Sequence, residues 1–133
     1  MTTRISGAFD VQLTPRPPDA EADAGVGRLT IDKQFHGALE ATSRGQMLAA
    51  QGSVDGSAGY VALEQVSGTL EGREGTFVLM HTGVMTRGKP GLTISVVPDS
   101  GTGELAGLSG TMSIEINEGK HFYHFDYVLG PAA

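Results

Sequence analysis

HFYHFDYVL, His121 to Leu129, places two of the chain's five phenylalanines and two of its three tyrosines in one short stretch, and parity sorts them. In an extended strand successive side chains point to opposite faces. His121, Tyr123, Phe125, Tyr127 and Leu129 then share one face; Phe122, His124, Asp126 and Val128 share the other. The first face is a ladder of large, partly polar rings, the lining expected of a barrel interior or a ligand pocket.

The same alternation recurs upstream at hairpin spacing, the pattern of an up-and-down barrel. A first strand, Ile5 to Leu13, puts Ile5, Gly7, Phe9, Val11 and Leu13 on one face. Residues 14–25, TPRPPDAEADAG, hold three prolines and three acids and read as a solvated loop. A second strand, Val26 to Phe35, aligns Leu29, Ile31, Lys33 and Phe35; a third, from Gly37 to Met47, aligns Leu39, Ala41 and Ser43. After a turn at Asp55-Gly56, a fourth from Gly59 to Leu70 sets Tyr60, Ala62, Glu64 and Val66 against Val61, Leu63 and Gln65. Gly72 to Gly75 turns into a fifth, with Phe77, Leu79 and His81 opposing Val78, Met80 and Thr82.

Lys89-Pro90-Gly91 reads as the next turn, since proline followed by glycine suits one. Leu92, Ile94 and Val96 mark a sixth strand, and Met112, Ile114 and Ile116 a seventh, which Glu118-Gly119 joins to HFYHFDYVL. Helical periodicity is nearly absent; one short piece is expected near Glu104 to Leu108. The prediction is an all-β single domain over residues 1–133: an eight-stranded antiparallel up-and-down β-barrel with little helix. Eight is the number of strands that closes around side chains or one small ligand. Periodicity by itself leaves a two-sheet sandwich open.

Composition narrows the function classes. A formal charge of −6 and nine scattered basic residues argue against nucleic acid. Without cysteine there are no disulfides or thiolate metal sites, and no apolar run suggests a leader or a membrane span. A soluble, cytoplasmic protein is expected, with no membrane partner and no cofactor.

If the apolar-rich face of each strand points inward, Lys33, Ser43, Tyr60, Glu64, His81, His121, Tyr123 and Tyr127 are carried into the lumen. Burying Lys33 or Glu64 alone is costly, so a Lys33–Glu64 ion pair is expected. Beside it, Glu64 would serve as general base or charge stabiliser and His81 as proton carrier. The plainer alternative is a polar network that only braces the barrel. His121 and His124 fall on opposite strand faces and cannot chelate one ion together, so no metal site is predicted. Gly101-x-Gly103-x-x-Ala106 lacks the surrounding βαβ unit of a dinucleotide site; the loop from Val96 to Gly110 is expected to seal one barrel mouth, with Pro98 stopping the strand before it. Nucleophilic catalysis has no G-x-S-x-G to rest on, and Ser43 reads as a packing residue. Outward-facing Val61, Leu63, Val78, Met80, Val84, Phe122 and Val128 are too apolar for a fully wet exterior. A homo-oligomer through the fourth, fifth and eighth strands is expected, with a dimer favoured.

GALEATSRGQML (Gly37 to Leu48), GYVALEQVSGTLEGREGTFVLMHTG (Gly59 to Gly83), VVPDSGTGELAGLSGTMSI (Val96 to Ile114) and HFYHFDYVL together resemble a bacterial family of small proteins of unknown function. That family is grouped with allene oxide cyclase and dirigent proteins as an eight-stranded barrel. The resemblance implies the barrel and a lumen able to hold an apolar molecule; no cyclase catalytic motif maps onto this chain.

Three functional expectations follow. The first is capture of a small apolar molecule, with Tyr60, Ser43, His121, Tyr123, Phe125 and Tyr127 as ligand contacts. The second is an isomerase, cyclase or lyase in which Glu64 or His81 moves a proton and Lys33 or a tyrosine stabilises negative charge. The third is a barrel filled by Phe9, Phe35, Phe77 and Phe125 that acts through its outer face.

Overall fold

The computed structural model, which describes residues 2–17 and 25–131, is a closed antiparallel barrel of eight strands in sequence order. The strands are β1 Thr3–Pro15, β2 Gly27–Phe35, β3 Leu39–Gln51, β4 Ala58–Leu70, β5 Arg73–Thr86, β6 Lys89–Val96, β7 Leu108–Asn117 and β8 Lys120–Leu129. β8 returns to β1 with Ile5 opposite Phe125 and Phe9 opposite His121. Outside, Arg4 clasps Asp126 through two bonds of 2.7 and 2.8 Å, and His124 links Ser6 (2.7 Å) to Glu115 (3.0 Å). The strand parity of HFYHFDYVL holds: Tyr123, Phe125 and Tyr127 are buried, and His124 and Asp126 make these outer-face links.

Three turns are two-residue hairpins with both residues at positive φ: Glu71-Gly72, Arg87-Gly88 and Glu118-Gly119. That backbone matches the twist of the flanking strands. Two expected turns therefore move. Gly72–Gly75 is not one turn, since β5 already begins at Arg73, and Lys89-Pro90-Gly91 lies inside β6. Met85 opposes Pro90, next to the bonded pair Thr86–Lys89. By ladder alternation the proline nitrogen then points away from β5. On that side β6 meets β7 only at Ile94 and Ser95, so no ladder bond is lost. The expected helix at Glu104–Leu108 is one 3₁₀ turn, Gly103–Leu105, and Leu108 already starts β7. The proposed loop at 14–25 is shorter at its start, because β1 continues to Pro15; residues 18–24 lie outside the described residues. Among the described residues no helix is long and apolar enough to cross a membrane.

The lumen differs at its two ends. One end is filled by Phe35, Leu39, Val66, Leu70, Phe77, Leu79, Tyr123 and Phe125, each at most 1% exposed. Phe77 and Phe125 stack with ring centroids 6.0 Å apart and planes 9° apart. The loop after β6 closes this end, as expected. Thr102 donates its N–H to the Thr76 carbonyl at 2.8 Å, and Leu105 is inserted into the core. The opposite end, where the Arg87-Gly88 turn bonds the Gly56 carbonyl (3.0 Å), leaves inward-parity hydrocarbon in water: Leu13 45%, Met85 40%, Leu92 42% and Ile116 66% exposed. The barrel is a cup.

The Tyr123 hydroxyl donates to the His36 carbonyl (2.8 Å) and accepts the Leu39 N–H (3.2 Å), bracing the β2–β3 corner from inside. Tyr123→Phe strands that buried amide, so it is expected to lower unfolding free energy by about 1–3 kcal/mol with no change in β content by circular dichroism.

Candidate functional site

Register assembles the polar floor of the cup from four strands. Lys33 on β2 lies opposite Ser43 on β3, Gly45 opposite Glu64 on β4, and Ala62 opposite His81 on β5. All four polar side chains, Lys33, Ser43, Glu64 and His81, are buried. A methyl on Gly45 would overlap the Leu63 carbonyl and the Glu64 Cα, so glycine here lets β3 and β4 close up beside the carboxylate.

Glu64 is the hub. Its Oε2 accepts from Lys33 Nζ at 2.8 Å and from His81 Nε2 at 2.7 Å, and its Oε1 accepts from Ser43 Oγ at 2.9 Å. The expected Lys33–Glu64 pair is therefore present. Ser43 does more than pack, because it donates the bond that fills the second carboxylate oxygen. Burial pushes the Glu64 carboxyl upward, but the His81 hydrogen bond and the Lys33 charge outweigh it and hold the pKa down at about 2. The Lys33 ammonium also lies 5.3 and 5.7 Å from the ring centroids of Phe9 and Phe35, a favourable cation–π setting in a desolvated site. Among the described residues its two remaining N–H groups make no hydrogen bond to protein.

One inward position nearer the mouth, Tyr60 and Gly83 face each other across β4 and β5. The Tyr60 ring lies flat on the Gly83 backbone, where any side chain would collide with it. This is aromatic cover of a strand glycine. Burial, then the Glu64 charge, raises the Tyr60 phenol above its ordinary pKa. Beyond the ring a recess of about 330 Å³ opens at the mouth, lined by Met47, Ala49, Tyr60, Met85, Pro90 and Leu92.

The structure divides the candidate ligand contacts between the two ends. Ser43 and Tyr60 stand with Lys33, Glu64 and His81 at or above the floor. His121 packs on Phe9 near the mouth, with ring centroids 5.3 Å apart. Tyr123, Phe125 and Tyr127 lie at the filled end, where Tyr123 bonds backbone and the Tyr127 hydroxyl bonds Glu71. The recess walls contributed by Met47, Ala49, Met85 and Leu92 were not among the expected contacts, although strand parity turned them inward. Among the described residues no group of three or more His, Asp or Glu side chains is placed to hold a metal ion.

A closed eight-stranded cup with a hydrocarbon mouth and a buried Lys–Glu–His–Ser floor is the class of protein that the chain presents. It belongs to the family described as "Protein of unknown function (DUF3224)", whose model matches residues 5–127. The chain is similar to a crystal structure, at 1.84 Å resolution, of a DUF3224 protein of unknown function from Shewanella oneidensis MR-1. The two are 54% identical with a TM-score of 0.92, over 99% of this chain and 100% of the other. No curated protein matches the chain.

Proposed function

We propose that this barrel captures a small, mostly apolar molecule in the recess at its mouth, with the Tyr60 hydroxyl as the orienting polar contact and the Lys33–Glu64–His81 network as a rigid charged floor behind it. The observation that carries this reading is the exposed inward hydrocarbon. Filling a barrel for stability alone would bury Met85, Leu92 and Ile116, as it buries Phe77 and Phe125 at the other end. A recess of about 330 Å³ is within the range that small-molecule sites occupy. The short β6–β7 seam next to Pro90 and Leu92 adds a side on which the wall can yield. The kinship with allene oxide cyclase and dirigent barrels belongs to this proposal and supports an apolar occupant by fold analogy.

N-phenyl-1-naphthylamine, an uncharged fluorophore, suits the test because the chain has no tryptophan to interfere. Saturable one-to-one binding with blue-shifted emission is expected. Ala49→Phe, which fills the recess without touching the floor, should weaken it at least about tenfold, the scale of one blocked apolar contact surface. Equal binding by the variant would exclude the recess.

The 2.7 Å contact between His81 and Glu64 favours one second reading, an isomerase, cyclase or lyase acting on the captured molecule. In that case Glu64→Gln and His81→Asn abolish turnover of a molecule that the variants still bind; unchanged turnover excludes it.

A further inference from the structure

The outer faces of five strands carry charge: Arg4 and Asp10 on β1, Arg28 and Asp32 on β2, Glu40 and Arg44 on β3, Glu115 on β7 and Asp126 on β8. The other three carry none along their middle, with Glu74 and Lys89 standing only at the starts of β5 and β6. Outward positions 59–67 on β4, 76–84 on β5 and 91–95 on β6 contain no ionisable side chain at all. Val61, Leu63, Met80 and Val84 in this area, with Leu48 on the adjoining β3, are 43–59% exposed. Leu63 pairs directly with Met80, and Val61 with Leu48, so the exposed hydrocarbon is contiguous. On the eighth strand, Phe122 and Val128 are half-buried and offer less apolar surface than these side chains.

We infer that this face is the contact between two copies of the chain, related by a two-fold axis near Leu63 and Met80. Charge argues for a second copy. Each chain carries a formal −6, and two like-charged copies approach at least cost through the stretch that bears the fewest charges. A partner recruited by charge would find only Arg28, at the groove's edge, to steer it. Shape agrees with an isologous contact. A groove of about 540 Å³ runs over β2–β5, walled by Leu48, Val61, Leu63 and Met80 with Arg28 at its edge, and a two-fold operation lays the projecting side chains of one copy along the groove of the other. Val84 borders both the recess and this face, whereas Leu63 and Met80 line the face alone, so substitutions at these two test the contact without altering the recess wall.

Light scattering on the full chain behind size exclusion tests the inference. At about 100 μM the expected mass is twice the 13.8 kDa of one chain. Leu63→Lys, and separately Met80→Lys, should return the monomer mass and weaken association at least about 100-fold, as a lysine at the centre of an apolar contact does. Both side chains are largely exposed, so circular dichroism and melting temperature should not fall; Ala8→Lys on β1 should leave the dimer intact. A wild-type monomer at that concentration overturns the inference, as does a dimer that survives Leu63→Lys. Cosedimentation of a monomeric wild type with phosphatidylcholine vesicles would give the face to a lipid surface instead, and also overturns it.

Discussion

Replacing Glu64 by leucine is expected to lower unfolding free energy by about 3–5 kcal/mol, the cost of leaving the Lys33 ammonium buried without its counter-ion. His81 and Ser43 lose their acceptor in the same stroke. The companion double variant, Lys33→Met with Glu64→Leu, removes both charges and replaces them with hydrocarbon of similar size. It should cost less than Glu64→Leu alone, because an intact buried pair contributes far less than the penalty for breaking it. Denaturant midpoints at equal m-value read both numbers. Acid reports the same network in the native protein. The Glu64 pKa is about 2 in the fold against an ordinary 4.5, so the folded state binds its proton less readily than the unfolded chain. The resulting stability, on the order of 3 kcal/mol, is fully present above about pH 4.5 and is lost as pH falls toward 2. In Glu64→Gln this part of the acid dependence should disappear.

Phe125→Ala is expected to cost about 3–5 kcal/mol, the range for emptying an aromatic site in a packed core. Phe125 is fully buried, stacks on Phe77 and contacts Tyr127 with ring centroids 5.5 Å apart. Phe77 on β5 and Tyr127 on β8 are both held in strands of a closed wall, so they cannot collapse into the space without breaking ladder bonds. Leu92→Ala is the contrast. That side chain has inward parity too, but it is 42% exposed at the mouth, and its loss should cost less than about 1 kcal/mol. Urea unfolding of the two variants would show whether the lumen is filled at one end and open at the other.

Strand parity made much of this legible beforehand. HFYHFDYVL sorts correctly because Tyr123, Phe125 and Tyr127 on one face are buried, and a slip of one residue would put Tyr123 and Phe125 in water. Lys33 and Glu64 could be paired in advance because neither can be buried alone. Other features depended on register, which a single chain does not display. His81 reaches Glu64, and Ser43 completes it, only because Gly45 pairs with Glu64 and Ala62 with His81. The Pro90 turn was misplaced because Arg87-Gly88 looks ordinary as text, and arginine at positive φ is a choice the hairpin imposes. Tyr123 and Tyr127 resembled ligand contacts because their hydroxyls answer to His36, Leu39 and Glu71, groups far away in sequence. Tyr60 against Gly83 left a signal that could have been read: a glycine on the buried parity of an otherwise bulky strand invites an aromatic cover.

A crystal structure of the protein grown with N-phenyl-1-naphthylamine examines ligand capture most directly. Ring density between Tyr60, Met85 and Leu92, above an undisturbed Lys33–Glu64–His81 floor, is the expected result. Density confined to the outer face of β4 and β5, or a mouth closed by collapse of Met47 and Met85 onto Tyr60 with no molecule inside, would contradict it.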